Sequence, residues 1–282
     1  MEREAIQAHV DDFLLFLKAE KHVAENTCRS YASDLRNFFD FWQAYELKKE
    51  KVTAFKEVTR HYRASVAAQK SRASTLARKL SCLNSFNRFL ANRGLVTRFT
   101  LVRPHVTLKA PEILSIKEIA YLLDEVPLEK IPSATPYRDR SILELLYATG
   151  MRCSELSALT LAHITMTEKS ITIPGKRRRT RTVFFGEKAR VQLSNYLKCE
   201  RPTPANDREI LFLNQRGEPL TTRSIQRTCN MFSAFLQSKK TVTPQILRHS
   251  FAVHLLEKGT CIETVQELMG LNTRISTERY IR

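Results

Sequence analysis

Ser170-Ile-Thr-Ile-Pro174-Gly175-Lys176-Arg-Arg-Arg-Thr180-Arg181-Thr-Val-Phe-Phe185 is the stretch where the chain stops reading as helix. β-branched and aromatic residues alternate or cluster on both sides of a glycine and a basic tip, the pattern of two strands joined by a hairpin. With His163–Met166 added, this predicts a small antiparallel sheet. Nearly everything around it carries helical periodicity, so the fold class is mainly α with one small antiparallel β-sheet.

Upstream, Ser115-Ile-Lys-Glu118 has the form of a capping box before an apolar helix. A long helix is expected from Tyr137 to Ala148, stopped by Gly150, and a short one from Ser154 to Leu159. Downstream, helices resume near Glu187, Thr221, Thr243-Pro244 and Cys261. The first hundred residues differ in composition. No proline precedes Pro104, and Gly94 is the only glycine in that stretch. A compact helical unit followed by a more irregular one fits that distribution of turn formers. Ile6, Val10, Phe13, Leu14 and Leu17 form one helical stripe. Tyr31, Leu35, Phe38, Phe39 and Trp42 form a second, after Asn26 as its expected cap. Leu76, Leu80, Leu83 and Phe86 form another, with Gly94 as C-terminal cap. A weaker helix covers the fifties and sixties, giving a four-helix bundle over residues 1–94. Residues 95–111, with Pro104 and Pro111, read as an extended linker, and residues 112–282 as the second domain.

The 282 residues carry a net charge of +17, which calls for an anionic partner, with nucleic acid before an anionic membrane surface. Residues 1–104 hold 19 basic and 11 acidic side chains, so both units are basic. That suits two modules on one polymer better than one module with a tail. No apolar run reaches the length of a spanning helix, and Met1-Glu-Arg-Glu-Ala-Ile6 lacks the layout of a signal peptide. A cytoplasmic, DNA-associated protein is the expectation. The six cysteines show neither zinc spacing nor a disulfide framework. No phosphate-binding glycine loop, HExxH or paired metal carboxylates occur, so no metal and no cofactor are expected.

Four pieces carry chemistry. Arg152 follows Thr-Gly-Met at a helix entry, and Glu155 three residues on can orient its guanidinium. Arg248 sits within a helix among apolar neighbours. A guanidinium is a planar fork that never loses its proton and meets two phosphate oxygens at once. Two of them can hold a phosphodiester and stabilise its pentavalent state, although two structural ion pairs explain the same spacing. Lys176 at the hairpin tip can protonate a leaving oxygen, while Arg177, Arg178, Arg179 and Arg181 are read as DNA-contacting charges and the first three as alternatives to Lys176. Tyr280 is a nucleophile only beside such cations, because a phenol attacks poorly at neutral pH. A phosphotyrosyl ester conserves the energy of the broken strand, so resealing needs neither ATP nor metal.

The order of these pieces resembles the tyrosine recombinases, most closely the Xer and small-integrase group. The motifs are Ala148-Thr-Gly-Met-Arg152-Cys-Ser-Glu155-Leu, a hairpin lysine, Thr243-Pro-Gln-Ile-Leu-Arg248-His-Ser-Phe, Val265-Gln-Glu-Leu-Met-Gly270 and Tyr280. The resemblance covers essentially the whole chain and implies a helical core-binding domain and an α+β catalytic domain clamping duplex DNA. It implies that Tyr280 attacks the scissile phosphate to give a 3′-phosphotyrosyl link and a free 5′-hydroxyl. Arg152 and Arg248 would stabilise the transition state, and Lys176 would be the general acid. It further implies four protomers, identical or mixed, exchanging strands at paired sites through a Holliday junction, as in dimer resolution or mobile-element integration.

Two positions depart from the family pattern. Gln245 stands three residues before Arg248, where the family carries a histidine that assists proton transfer from the tyrosine. Leu271 stands where a histidine or tryptophan lies beside the phosphate. Glutamine donates a hydrogen bond but exchanges no proton near neutral pH, and leucine only packs. His249 is expected on the wrong helical face to replace Gln245. Slowed chemistry, or activation by a partner protein, is the expectation. Only Ile281 and Arg282 follow Tyr280, where family members often carry a segment that docks into a neighbour. This leaves truncation and a different assembly both open. The runner-up reading is a recombinase-like DNA-binding protein with impaired catalysis that regulates replicon maintenance. A type IB topoisomerase comes after it, and a membrane-surface protein last.

Overall fold

The computed structural model describes residues 2–69, 73–104, 110–175, 180–205, 209–271, 273, 275–278 and 280. It divides into two compact units, residues 1–107 and 108–282. Among the described residues, no helix is long and apolar enough to cross a membrane.

The first unit contains α1 (Glu2–Gln7), α2 (Val10–Ala19), α3 (Glu25–Lys49), α4 (Phe55–Ala68) and α5 (Ala73–Asn92). The stripe that sequence periodicity assigns to one first helix is split over α1 and α2, although Ile6, Phe13 and Leu17 still turn to the same core. Asn26 is not a cap. Helix α3 begins one residue earlier, behind Ala24, without a side-chain cap. An acidic residue in the first turn, Glu25, complements the positive helix end instead.

Aromatic packing dominates the core. The Phe38 ring centroid lies 5.3, 5.7, 5.8 and 5.3 Å from those of Phe39, Trp42, Phe55 and Tyr62. Edge-on contacts with Phe55 and Tyr62 match the ring quadrupoles. Gly94 ends α5 at φ +73°, and Leu95 N–H reaches back to Leu90 O at 3.1 Å. The chain beyond it remains tied to this unit. Asn84 exchanges two hydrogen bonds with the Leu101 backbone, at 2.9 and 2.7 Å. Asn87 accepts from Phe99 N at 2.9 Å. Two buried-face amides on α5 thus stand in for a strand partner along residues 97–101.

The second unit opens with α6 (Ile116–Ala120), capped as its sequence predicts. Ser115 Oγ accepts from Glu118 N at 3.2 Å, and Glu118 Oε2 from Ser115 N at 2.7 Å. Next come α7 (Pro136–Thr149), α8 (Cys153–Ser157), β1 (Ile164–Thr165), β2 (Ser170–Pro174), β3 (Thr180–Phe184) and α9 (Glu187–Asn195). The chain closes with α10 (Thr222–Met231), α11 (Pro244–Glu257), α12 (Ile262–Met269) and α13 (Ile275–Glu278). The strands form one antiparallel sheet in the order β1-β2-β3, with Ile171 facing Val183 and Ile164. Ile171, Ile173 and Val183 are buried while Thr172, Thr182 and Phe184 are exposed, the period-two pattern of a one-sided sheet.

Two helices run through the middle of this unit and pack on each other, α7 and α11. Each is buried over most of its length. Their starts are fixed by polar caps. Glu200 accepts from Tyr137 N and Arg138 N at 3.0 and 2.8 Å, closing the entry of α7. Thr243 Oγ1 accepts from Ile246 N at 3.1 Å, and Pro244 sits in the first turn of α11. Gly150 ends α7 in the left-handed region, φ +59°, and a Cβ there would lie 2.2 Å from the Phe251 ring of α11. This glycine is required both by conformation and by helix approach. Gly150→Ala is expected to destabilise the protein by about 2–4 kcal/mol, from left-handed strain plus the ring clash. Chemical denaturation of the purified variant measures the loss.

Candidate active site

The site is built around the C-terminal end of α12. The last carbonyls of a helix have no partner inside it and carry its negative pole. Here three consecutive carbonyls each accept from a different arginine. Arg181 Nε donates to Leu268 O at 2.8 Å, Arg248 Nη2 to Met269 O at 2.7 Å, and Arg152 Nη2 to Gly270 O at 2.9 Å. The three side chains come from β3, α11 and the entry of α8. Gly270 makes the arrangement fit. It turns at φ +59°, and a Cβ would sit 2.9 Å from Arg181 Nη1.

Glu155 supplies the opposing charge. Its carboxylate accepts from Arg181 Nη1 and Nη2 at 3.0 and 2.7 Å, a two-pronged pair, and from Arg152 Nη1 at 2.9 Å. It also accepts from Arg152 N at 2.7 Å, closing the first turn of α8. Burial pushes the Glu155 carboxyl up, but hydrogen bonds from Arg181 and Arg152 outweigh it and hold the group at about 2. Arg248 is buried, with its second arm on Gly150 O. Burial and then neighbouring Arg152 bring its guanidinium down to about 10, so it stays charged at neutral pH. Arg152 differs from the other two. Its side chain is 43% exposed, so it keeps room to meet a ligand while tethered from behind.

Arg181 differs from the expectation drawn from the basic run. Instead of contacting DNA from the hairpin tip, its guanidinium turns inward onto Glu155 and α12, at 11% exposure. Strand β3 begins at Thr180, so Arg181 obeys strand alternation and shares the inner face with Val183. Lys176, Arg177, Arg178 and Arg179 lie outside the described residues.

Tyr280 is 4% exposed and packs with Phe251, Val253, Val265 and Met269. Leu271 joins the same cluster from its half-buried position, so it packs and nothing more. The phenol oxygen of Tyr280 is 3.0 Å from His249 Nδ1. The rings lie 5.3 Å apart, tilted by 47°. The other nitrogen of that ring, Nε2, is 3.1 Å from Gln245 Nε2. His249 is therefore not on the wrong face, as sequence reading had it. Positions i and i+4 lie one above the other on a helix, and that spacing was the available signal. The carbonyls of Leu268, Met269 and Gly270 left no signal in the sequence.

Residues 112–282 match the phage integrase family, and residues 10–94 match the N-terminal SAM-like domain of phage integrases. The chain is 32% identical over 276 residues to tyrosine recombinase XerD of Staphylococcus aureus, covering 96% of this chain and 92% of that protein. The chain belongs to the tyrosine recombinases of the phage integrase family. It is Xer-like, and its function is site-specific recombination. Tyrosine recombinase XerC of Pelotomaculum thermopropionicum is 35% identical over 285 residues, with 96% and 92% of the two chains covered. Among solved structures, the XerH site-specific recombinase bound to its difH substrate superposes with a TM-score of 0.74 at 22% identity, over 90% of this chain and 76% of that one. A lambda integrase dimer bound to a core site gives 0.70 at 15% identity, over 98% and 95%. These two likenesses concern the fold.

Glu155→Gln tests the counter-charge. The folded-state pKa is depressed, so Glu155 adds stability above its ordinary pKa of 4.5 and loses it as pH falls toward about 2. The contribution is on the order of 3 kcal/mol. The variant should therefore unfold at lower denaturant at pH 7 and lose part of the parent's stability slope between those two pH values. Denaturant titrations at several pH values read both effects.

Proposed function

We propose that this recombinase cuts and rejoins duplex DNA through Tyr280. The phenol passes its proton to solvent as its oxygen bonds to the scissile phosphorus, and the bond from phosphorus to the 5′-oxygen breaks. A 3′-phosphotyrosyl link and a free 5′-hydroxyl result, with Lys176 protonating the leaving oxygen. Arg152 and Arg248 hold the phosphate oxygens, and Glu155 orients Arg152. The observation that carries this reading is the anchoring of Arg152 and Arg248 on neighbouring carbonyls, Gly270 and Met269, at one helix end. That anchoring leaves two fixed cations beside the helix that buries Tyr280. Preorganised charge of this kind needs no reorganisation when the pentavalent state forms.

The chemistry needs no metal and no nucleotide, since the ester bond stores the strand energy. Both units, 1–94 and 112–282 joined by 95–111, contribute positive charge to the same duplex, and Arg177, Arg178 and Arg179 add phosphate contacts. Four protomers, alike or mixed, act at paired sites in the cytoplasm. The XerH and lambda integrase structures, both DNA-bound, support this choice of partner. Gln245 and Leu271 remove two proton-exchanging or phosphate-binding side chains, so cleavage is slowed and an activating protein partner fits the system.

A nicked suicide substrate carrying the site, trapped with purified protein, tests the reading. The parent should form a covalent protein–DNA adduct and Tyr280→Phe none. Gln245→His combined with Leu271→His should raise the single-turnover rate by about tenfold or more, as restored proton transfer would. Equal rates for parent and double variant would remove the claim of slowed chemistry.

A further inference from the structure

The family pattern leaves Tyr280 without its usual histidine, yet the phenol oxygen has a histidine 3.0 Å away. This is His249, whose ring is buried between Tyr280 and Gln245. The identity of the atoms decides what the ring does. An amide nitrogen only donates, so the nitrogen it faces, His249 Nε2, must be the one without a proton. The neutral ring then carries its proton on Nδ1 and donates it to the phenol oxygen. We propose that His249 is a catalytic residue of this recombinase: its Nδ1–H holds the nucleophilic oxygen of Tyr280, and Gln245 fixes the tautomer that makes this possible.

The consequence is chemical as well as geometric. A donor on the phenol oxygen stabilises the negative charge that grows there as its proton leaves. It also fixes the oxygen relative to Arg248, the preceding residue of α11 and the one that holds the phosphate. Nucleophile and phosphate clamp are thereby indexed to the same helix turn. Gln245 acts in this scheme on the ring nitrogen behind the nucleophile. A carboxylate at 245 would accept from Nε2–H and set the opposite tautomer, whereas a buried amide nitrogen sets this one. The inference rests on Tyr280 being the nucleophile.

The test is single-turnover cleavage of the suicide substrate at saturating DNA, with DNA affinity measured in parallel. His249→Leu keeps the volume and removes the donor. It should slow cleavage by about 10²-fold, the scale of a misplaced reacting atom, and leave affinity within about twofold. His249→Asn puts an amide nitrogen where Nδ1 stands and should recover most of the rate. Gln245→Met should slow the parent by about fivefold, one hydrogen bond's worth, and do nothing further in the His249→Leu background. Cleavage by His249→Leu at the parent rate overturns the proposal, as does an Asn variant no faster than the Leu variant, or additive losses from Gln245→Met and His249→Leu. Tyr280→Phe separates the two levels. If it forms no adduct, failure of the His249 series sinks this inference alone. If it still forms one, the nucleophile assignment falls and this inference falls with it.

Discussion

Three guanidinium groups pressed against one helix end form the constraint on which the second unit depends. Arginines at close quarters repel, and desolvation raises the cost of each charge. The α12 terminus offsets that cost because its last carbonyls point outward without helical partners. Leu268, Met269 and Gly270 each take one arginine, so the three cations are spaced by the helix backbone itself. The register of α12 sets where Arg152, Arg181 and Arg248 sit. A side-chain carboxylate could rotate away from such a role, and a backbone carbonyl cannot.

Glu155 and Gly270 make this cluster tolerable in different ways. Glu155 is the counter-ion, and its grip on Arg181 is two-pronged while its grip on Arg152 is single. Planar fork-to-carboxylate pairing locks Arg181 in place. Arg152 is left with one tethered arm, one arm on Gly270 O and an exposed face. The pair is thus divided into a buried arginine and an accessible one. Removing Glu155 would leave two cations without their counter-charge, which is costlier than the pair is worth when intact. Gly270 acts through what it lacks. A side chain there would occupy the space of the Arg181 guanidinium.

How much of this was legible follows the kind of physics involved. The fold class came from periodicity. Ile171, Ile173 and Val183 alternate because a one-sided sheet must bury every second residue, and that rule leaves a mark on the sequence. The ends of α6 and α11 came from Ser115 and Thr243, whose side chains write the cap into the residue type. Arg152 and Glu155 were legible because three residues of helix bring them together. Arg181 was misread because its charge groups it with the basic run before it, although alternation along the strand from Thr180 turns it inward with Val183. Asn26 was misread because a good capping residue can also sit within the first turn of a helix. The backbone acceptors were illegible in principle, since every residue has a carbonyl.

His249 is the instructive case, because the spacing to read it was present. Gln245 and His249 share a helix face at four-residue spacing, as Arg152 and Glu155 do at three. What the sequence could not give was the position of Tyr280, 31 residues away and carried behind α13, a helix of four residues. A helix that short has little cooperative stability of its own. The tyrosine is held by what its ring touches and by the bond to its oxygen, while each arginine is tied to a backbone carbonyl. The arginine half of the site is therefore anchored by backbone carbonyls, and the tyrosine half by side-chain contacts. Sequence change at positions such as 245 and 271 falls on the second half. Such change can alter the surroundings of Tyr280 while leaving the charge cluster intact.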